Sequence, residues 1–258
     1  MKQALIAVSF GSSVARAREE IGAAEAALAA AAPGYTFRRA YTSPTIRRIL
    51  AARGEPVDSL PEALARLAEE GFERVLVQPT HLLYGYEYEA IREQVQAVSG
   101  RFETLKLGRP LMADDAALRA LAACVTESYP IEEGQALVLM GHGTAHFANM
   151  VYPALQTAFR LQGAGRVYVG TVEGWPGFDE VLAQLQADGI TRVQLAPFML
   201  VAGDHALNDM AGEEPDSWKS RLAAAGIEAH CHMQGLARLA AVRALYAARL
   251  EELMRDGL

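Results

Sequence analysis

Short apolar runs alternate along the chain with longer segments in which apolar residues recur at helical spacing. Apolar runs that end at Gly or Pro are typical of buried strands, whereas a period of 3.6 residues is typical of amphipathic helices. The first half predicts strands at 4–10, 35–41, 74–80 and 102–108, each followed by a helical segment. The second half predicts strands at 136–141, 166–172, 192–200 and 227–233. This alternation is the pattern of parallel sheets that helices cover on both faces.

The two halves of the chain also resemble each other. The segment EGFERVLVQPTHLLYG (70–85) aligns without a gap with DGITRVQLAPFMLVAG (188–203), and ALIAVSFGSS (4–13) aligns with ALVLMGHGTA (136–145). We therefore predict an α/β protein of two similar doubly wound, Rossmann- or flavodoxin-like domains with parallel sheets. The polar segment YPIEEGQ predicts a boundary that gives domains 1–131 and 132–258, and the last helix is able to pack back on the N-terminal domain. Ligands of such sheets bind outside the carboxyl ends of the strands, so the cleft between the domains is the expected active site.

Three residues with metal-binding side chains follow predicted strands of the second half. His142 lies in MGHGTAH, Glu173 in TVEGWPG and His205 in AGDHALND. Two imidazoles and one carboxylate suit a divalent transition metal with open coordination positions, whereas calcium and magnesium prefer oxygen ligands. The corresponding positions of the first half hold other residues, namely Phe10, Ser43 and Glu87.

Each of these residues taken alone is also compatible with a helix cap or an ordinary surface position. The three together favour metal-assisted chemistry, because three separate strand ends supply one ligand set. A second pair, His230 and His232, flanks Cys231 on one face of a predicted strand. That pair is able to bind a metal, but a half-exposed strand is the interpretation that the pattern favours.

Composition narrows the classes of function. Of the residues, 51% are hydrophobic, which allows a large core, and the net charge of -7 argues against a general nucleic-acid or membrane-surface binder. The two cysteines give no disulfide framework, and we see no membrane-spanning run and no secretory leader, so we expect a cytoplasmic protein. The phosphate-binding patterns GxGxxG after the first strand and GxxxxGK[ST] are both missing, which disfavours a nucleotide enzyme.

Several longer motifs carry a family resemblance. The segments VSFGSS, RAYTSPTI, THLLYGYEYE, MGHGTAH, VEGWP and, above all, VAGDHALNDMAGEEPDSWK resemble the anaerobic sirohydrochlorin cobaltochelatases, which are class II chelatases related to ferrochelatases. The resemblance runs nearly end to end and implies a chelatase-like fold. It also implies a lyase of cobalamin biosynthesis that inserts cobalt(II) into the tetrapyrrole sirohydrochlorin without ATP or an organic cofactor. Members of the family differ in their preference for cobalt, iron or nickel, so iron(II) and nickel(II) stay open as metal substrates.

The resemblance assigns the metal ligands to His142, Glu173 and His205, which the strand-end argument also selects. Metal insertion removes two protons from pyrrole nitrogens, and we expect His142, Glu173 and Glu87 to act in this proton transfer, with Glu89 as a further relay. The sequence does not decide which of them accepts the proton.

Sirohydrochlorin carries many carboxylates, so its binding site should present cationic groups, hydroxyls and flat apolar side chains. Ser12, Ser13 and Arg16 lie where the first helix is predicted to begin, with a serine able to cap it, and Thr42 and Ser43 begin the second. We expect these and four ring-bearing residues to bind the substrate; the four are Phe10, His81, Tyr86 and Trp175. Packing or a solvated helix face is the alternative for each of them.

Three other functions stay open. A sirohydrochlorin ferrochelatase of sirohaem synthesis would use the same residues, and a non-catalytic tetrapyrrole or metal carrier would bind without turnover. A periplasmic-binding-type protein would share the architecture but has no need of the His-Glu-His set. The oligomeric state cannot be predicted, and a homo-oligomer is compatible with the sequence.

Overall fold

The computed structural model describes residues 1–255 of the 258 in the chain, and these form two compact units. The first unit runs to Ala113 and includes the last helix from Arg243 onward, and the second runs from Asp114 to Val242. The division falls before residue 131 because the helix that follows Asp114 packs against another helix of the second unit. The predicted end of the second domain, 256–258, lies outside the described residues. No helix among residues 1–255 is long and apolar enough to cross a membrane.

The first unit alternates strands and helices as the pattern predicts. Its elements are β1 (Gln3–Ser9), α1 (Ala15–Ala31), β2 (Thr36–Tyr41), α2 (Pro44–Ala52), α3 (Leu60–Glu69), β3 (Arg74–Pro79), α4 (Tyr86–Gln96) and β4 (Thr104–Leu107). The strands pair in parallel in the order β2-β1-β3-β4.

The second unit repeats this arrangement. Its elements are α5 (Asp115–Ser128), β5 (Gln135–Gly141), α6 (Val151–Leu161), β6 (Val167–Thr171), α7 (Phe178–Ala187), β7 (Arg192–Phe198), α8 (Trp218–Ala224), β8 (Glu228–Cys231) and α9 (Ala240–Arg255), most of which belongs to the first unit. The strands pair in parallel in the order β6-β5-β7-β8. The predicted class of two similar α/β units with parallel sheets is confirmed.

Each sheet buries both of its faces under helices. In the first unit, Ile6 and Val8 of β1 pack with Leu64 of α3 and Ile91 of α4 in one core cluster. In the second unit, β5 and β7 pack with α7 and α8 in the equivalent cluster. Central strands that are apolar on both faces hold the backbone rigidly, so the residues just beyond their carboxyl ends have well-defined positions.

Helix starts differ from the prediction at one place. Ser43 and Ser59 cap α2 and α3, and each accepts a hydrogen bond from the backbone N–H three residues on. Neither Ser12 nor Ser13 caps α1, whose N-cap residue is Val14 with no side-chain hydrogen bond. The Ser12 hydroxyl instead accepts from the Val14 N–H, 3.2 Å away, so it stabilises the loop before the helix.

Candidate metal centre

Three side chains meet at the carboxyl edge of the second unit's sheet. His142 directly follows β5, Glu173 follows β6 by two residues, and His205 begins the short helical turn after β7. One ligand atom from each of the three lies within 4.8 Å of the other two. The imidazole rings of His142 and His205 have their centres 4.7 Å apart, with an angle of 89° between their planes. The structure therefore brings together three residues that are far apart in sequence.

Hydrogen bonds set the orientation of the two imidazoles. The His142 Nδ1 lies 2.9 Å from the Gly143 carbonyl oxygen. Because a carbonyl oxygen only accepts, this nitrogen carries the hydrogen and donates it, and the lone pair of His142 is on Nε2. The His205 Nδ1 lies 2.7 Å from Oδ2 of Asp209, to which it donates in the same way. Both histidines thus keep Nε2 for a metal.

Asp209 acts on His205 as carboxylates commonly act on metal-binding histidines. Its hydrogen bond fixes the ring and makes Nε2 a stronger electron-pair donor. Asp209 belongs to a single π-helical turn, Ala206–Met210, which places it on the side of the chain where the His205 ring lies. The sequence analysis missed this residue, although the spacing of four in DHALND was a usable signal.

Asn149 holds together the two loops that carry His142 and Glu173. Its Oδ1 accepts from the Thr144 N–H at 3.0 Å, and its Nδ2 donates to the Trp175 carbonyl at 2.5 Å. The side chain is buried, with 4% of its surface exposed, so these bonds compete little with water. The sequence offered no periodic signal for Asn149, because its partners lie on two other loops.

Close packing requires Gly143 between these loops. Its φ is +83°, and a Cβ there would lie 2.5 Å from the Gly174 nitrogen and 2.8 Å from the Thr171 Cβ. The Tyr152 hydroxyl accepts from the Gly143 N–H at 3.3 Å, and burial raises the pKa of Tyr152 to about 12. This phenol therefore stays neutral near neutral pH and supports the loop without adding charge.

The group as a whole presents two nitrogen donors and one oxygen donor to solvent. The side chains of His142 and Glu173 are 49% and 57% exposed, and that of His205 is 31% exposed. The His142 Nδ1 lies 3.8 Å from Oε2 of Glu173, so the carboxylate is close without bonding tightly to the ring. Around an ion bound to this group, three protein donors on an open edge would leave coordination positions for further ligands.

The first unit carries a different set at its own sheet edge. Glu87, in the first turn of α4, lies with its Oε2 3.8 Å from the His81 Nε2. The pKa of Glu87 is lowered, chiefly by His81 and further by the Thr42 hydroxyl, against the opposing effect of burial. Within residues 1–255, the Thr42 Oγ1 and both His81 nitrogens are buried without a hydrogen-bond partner of ordinary length. Glu87, His81 and Thr42 thus form a polar group in which, among the described residues, the Thr42 hydroxyl and the His81 nitrogens have no hydrogen bond of ordinary length.

The predicted substrate-binding residues differ in their surroundings. Ser12 and Ser43 are largely buried and serve the backbone at helix starts, whereas Arg16 is exposed on α1. Two other arginines of these segments form ion pairs within the protein: Arg18 pairs with Glu55, and Arg47 pairs with Glu62. Ser13 offers its carbonyl to Arg18 and Arg53, and the structure shows no separate role for its hydroxyl within the described residues.

Exposed apolar side chains concentrate beyond the strand ends of both units. Nine large apolar residues are exposed in the described chain, and seven of them lie in loops or first helical turns after the carboxyl ends of strands: Phe10, Tyr84, Tyr86, Phe147, Met150, Trp175 and Leu207. Phe10, Tyr86 and Trp175 expose 51%, 60% and 54% of their surface. Within each unit taken by itself, exposed apolar side chains at one edge of the sheet are typical of a surface that binds another molecule.

Comparison with known proteins gives consistent matches. Residues 3–255 match the model of the family described as cobalt chelatase (CbiK). The chain is 40% identical to the sirohydrochlorin cobaltochelatase of Salmonella typhimurium over 98% of this chain and 96% of that protein. It is 34% identical to the sirohydrochlorin cobaltochelatase CbiKC of Nitratidesulfovibrio vulgaris over 92% of this chain and 85% of that protein.

Solved structures support the fold. SirB from Bacillus subtilis, determined with Fe3+, superposes with a TM-score of 0.67 at 18% identity and covers 99% of this chain and 97% of its own. The sirohydrochlorin chelatase SirB of Bacillus subtilis subspecies spizizenii, in complex with cobalt, gives the same TM-score at 16% identity, over 100% of this chain and 97% of its own. At these identities the likeness concerns the fold alone.

Proposed function

This chain belongs to the cobalt chelatase (CbiK) family, and on that premise we propose that it is a sirohydrochlorin cobaltochelatase, a lyase that inserts cobalt(II) into sirohydrochlorin. The observation that supports the proposal from the structure is the convergence of His142, Glu173 and His205 within 4.8 Å. Imidazole nitrogen with one carboxylate suits cobalt(II), and it suits iron(II) and nickel(II) as well. We propose cobalt as the metal substrate on the strength of the family.

The proposed sequence of events starts with capture of the ion. Nε2 of His142 and Nε2 of His205 replace water on one side of cobalt(II), and Glu173 supplies an oxygen that offsets part of its charge. Three donors hold the ion while other positions stay available to the pyrrole nitrogens. Transfer then exchanges protein ligands for ring nitrogens.

Insertion releases two protons for each divalent ion, since two pyrrole N–H groups become metal-bound nitrogens. Once ring nitrogens have replaced them on the ion, Nε2 of His142 and the Glu173 carboxylate have free electron pairs and are the proposed proton acceptors, a role worth about 10²–10⁴ in rate for a general base. We assign Glu87 to proton relay. A relay must release the proton again, and the lowered pKa of Glu87 favours release.

Substrate recognition is proposed to use the exposed rings and the polar groups at the sheet edges. Phe10, Tyr86 and Trp175 offer flat apolar surface to a macrocycle. Arg16 and the Ser13 hydroxyl are suited to its carboxylates, whereas the buried Thr42 hydroxyl and His81 imidazole would act through Glu87, whose pKa they lower. Ser12 and Ser43 would act through the loops that they stabilise.

We further propose that the reaction needs neither ATP nor an organic cofactor and takes place in the cytoplasm. Support for the compartment comes from Cys124 and Cys231, both of which are free thiols, as is usual under reducing conditions. The assay described next omits ATP and so tests that part directly.

The proposal is tested by anaerobic assay of purified protein with sirohydrochlorin and cobalt(II), followed through the visible spectrum against a mixture without protein. We expect turnover by the unaltered chain and strong loss in H142A, E173A and H205A. The matched control is H230A, which removes an imidazole outside the group and should keep full activity. Equal rates in every mixture would overturn the chelatase proposal, and stoichiometric binding without turnover would indicate a carrier.

Parallel reactions with iron(II) and nickel(II) test the choice of metal. We expect cobalt(II) to give the highest kcat/KM. A clear preference for iron(II) would replace cobaltochelatase by ferrochelatase while leaving the site residues in place.

A further inference from the structure

The edge strand of the second unit carries two histidines that the reaction does not use. β8 is the last strand in the order β6-β5-β7-β8, and His230 lies within it, opposite Gln194 of β7. His232 follows β8 by one residue and still donates its backbone N–H to the Leu195 carbonyl at 2.8 Å. Because side chains alternate along a strand, His230 and His232 project from one face and Cys231 from the other, where it packs on the core cluster.

The geometry of this pair closely resembles that of the pair in the candidate metal centre. The ring centres of His230 and His232 lie 5.0 Å apart with an angle of 84° between the planes. His142 and His205 give 4.7 Å and 89°. An ion lies about 2.1 Å from an imidazole nitrogen, so an ion shared at a tetrahedral angle separates two ring centres by roughly 5 Å. The spacing therefore fits one shared ion.

Gln194 fixes which nitrogen of His232 carries the hydrogen. The Gln194 Nε2 donates to the Pro130 carbonyl at 2.7 Å and to Oε1 of Gln135 at 3.0 Å, which identifies the opposite atom, Oε1, as its acceptor. The His232 Nε2 lies 2.9 Å from that oxygen and so donates to it. Nδ1 of His232 then holds the lone pair, and the ring is oriented by a buried partner, as is usual for metal-binding histidines.

Packing against another aromatic ring accounts for the position of His232 but not for that of His230. The His232 ring packs edge-on against Tyr129 at 5.0 Å between centres, which would hold it in place without any ligand. His230 is exposed, and within the described residues the ring of His232 is the one aromatic ring that it contacts. Burial lowers the pKa of His232, with His230 contributing in the same direction, so its neutral, metal-binding form is favoured.

We propose that His230 and His232 form a second binding site, for a divalent transition-metal ion that favours imidazole: cobalt, nickel, copper or zinc. The site is separate from the reaction centre. His230 is level with Gln194, whereas His205 lies beyond the end of β7 at Phe198, about 13 Å further along the strand direction. The inference does not depend on the chelatase function, since it rests on other residues.

Titration of untagged protein with cobalt(II) and with zinc(II), without tetrapyrrole, tests the site by calorimetry. We expect two equivalents to bind the unaltered chain, one to bind H142A/H205A, and one to bind H230A. The H230A change is at an exposed side chain and leaves the core intact, and H230Q repeats the test with a similar volume. The variant C231S keeps both equivalents if the thiol on the other face takes no part.

Two outcomes would overturn the second site. One is a single equivalent in the unaltered chain that H142A/H205A abolishes. The other is a second equivalent that persists unchanged in H230A and H230Q. A fall of at least about tenfold in the affinity of the second equivalent in H230A supports it, because one imidazole then has to hold the ion alone. Loss of chelatase activity in H142A/H205A with this equivalent retained would separate the two sites.

Discussion

The two units have the same strand order but different residues at equivalent strand ends. In both units the first strand is followed by one residue and then by a glycine with positive φ, Gly11 at +95° and Gly143 at +83°. The residue before that glycine is Phe10 in one unit and His142 in the other. The two units therefore share the backbone of the sheet and of this turn, whereas the side chains at the edge of the sheet differ in their chemical character.

Strand register makes the equivalence specific. Ser9 pairs with Tyr41 at the end of β2, and Gly141 pairs with Thr171 at the end of β6. Counting from these pairs, the proposed metal ligands His142 and Glu173 correspond to Phe10 and Ser43. Counting from Pro197 of β7 and Pro79 of β3, which hold the same register position in their sheets, His205 corresponds to Glu87. Only the second unit presents two imidazoles and a carboxylate at these positions, so the comparison predicts that metal binding depends on one unit.

We expect the largest effect from substitution of His142, which is compared with substitution of its counterpart Phe10. We expect H142A to weaken cobalt(II) binding at the reaction centre by more than about 100-fold, because a direct ligand contributes more than the outer partners, whose loss costs roughly 10–100-fold. F10A should leave cobalt affinity unchanged and raise the KM for the tetrapyrrole. Calorimetry and steady-state kinetics measure the two effects.

The comparison between units would fail if F10A weakened cobalt binding as much as H142A. That result would mean that the edge of the first unit also determines metal affinity. Both side chains are about half exposed, so neither change is expected to alter the folded core.

The next effect concerns the carboxylate behind His205. We expect D209N to lower cobalt affinity by about 10–100-fold, because an amide accepts a weaker hydrogen bond from Nδ1 and makes Nε2 a poorer donor. D204N is the matched control, because Asp204 pairs with Asn208 and not with the imidazole. Equal losses in the two variants would contradict a specific role for Asp209.

Sequence patterns predicted the elements that depend on local periodicity and the residues at their ends. Both sheets and the convergence of His142, Glu173 and His205 follow from apolar runs and the rule that parallel strands end at one edge. Contacts between loops carry no period, and for this reason Asn149 was missed. The cap of α1 was wrong because serine also bonds to nearby backbone in a turn, as Ser12 does.

Asn149 supplies the third test, which concerns the loops of the second unit. N149A should leave the Thr144 N–H and the Trp175 carbonyl without their buried partner, at a cost of about 1–3 kcal/mol in the free energy of unfolding. We expect roughly tenfold lower kcat/KM, since small displacements of the loops misplace the ligands. N149D retains the acceptor for Thr144 but places a buried carboxylate oxygen against the Trp175 carbonyl oxygen, so it should lose more stability than N149A. Denaturant unfolding and kinetics of all three proteins test this order.

The smallest effect concerns Thr42, whose counterpart by register is Val172. The change T42V gives the first unit the residue of the second and removes one of the groups that lower the pKa of Glu87, after His81. A carboxyl group with a lowered folded-state pKa stabilises the protein above pH about 4.5 and loses that contribution as pH falls through the lowered value. T42V should therefore reduce the free energy of unfolding slightly near neutral pH, and the difference from the unaltered chain should shrink as the pH falls below about 4.5. In an E87Q background the same substitution should have an effect that is independent of pH over this range. A difference that grew on acidification would show that the Thr42 hydroxyl does not favour the ionised form of Glu87.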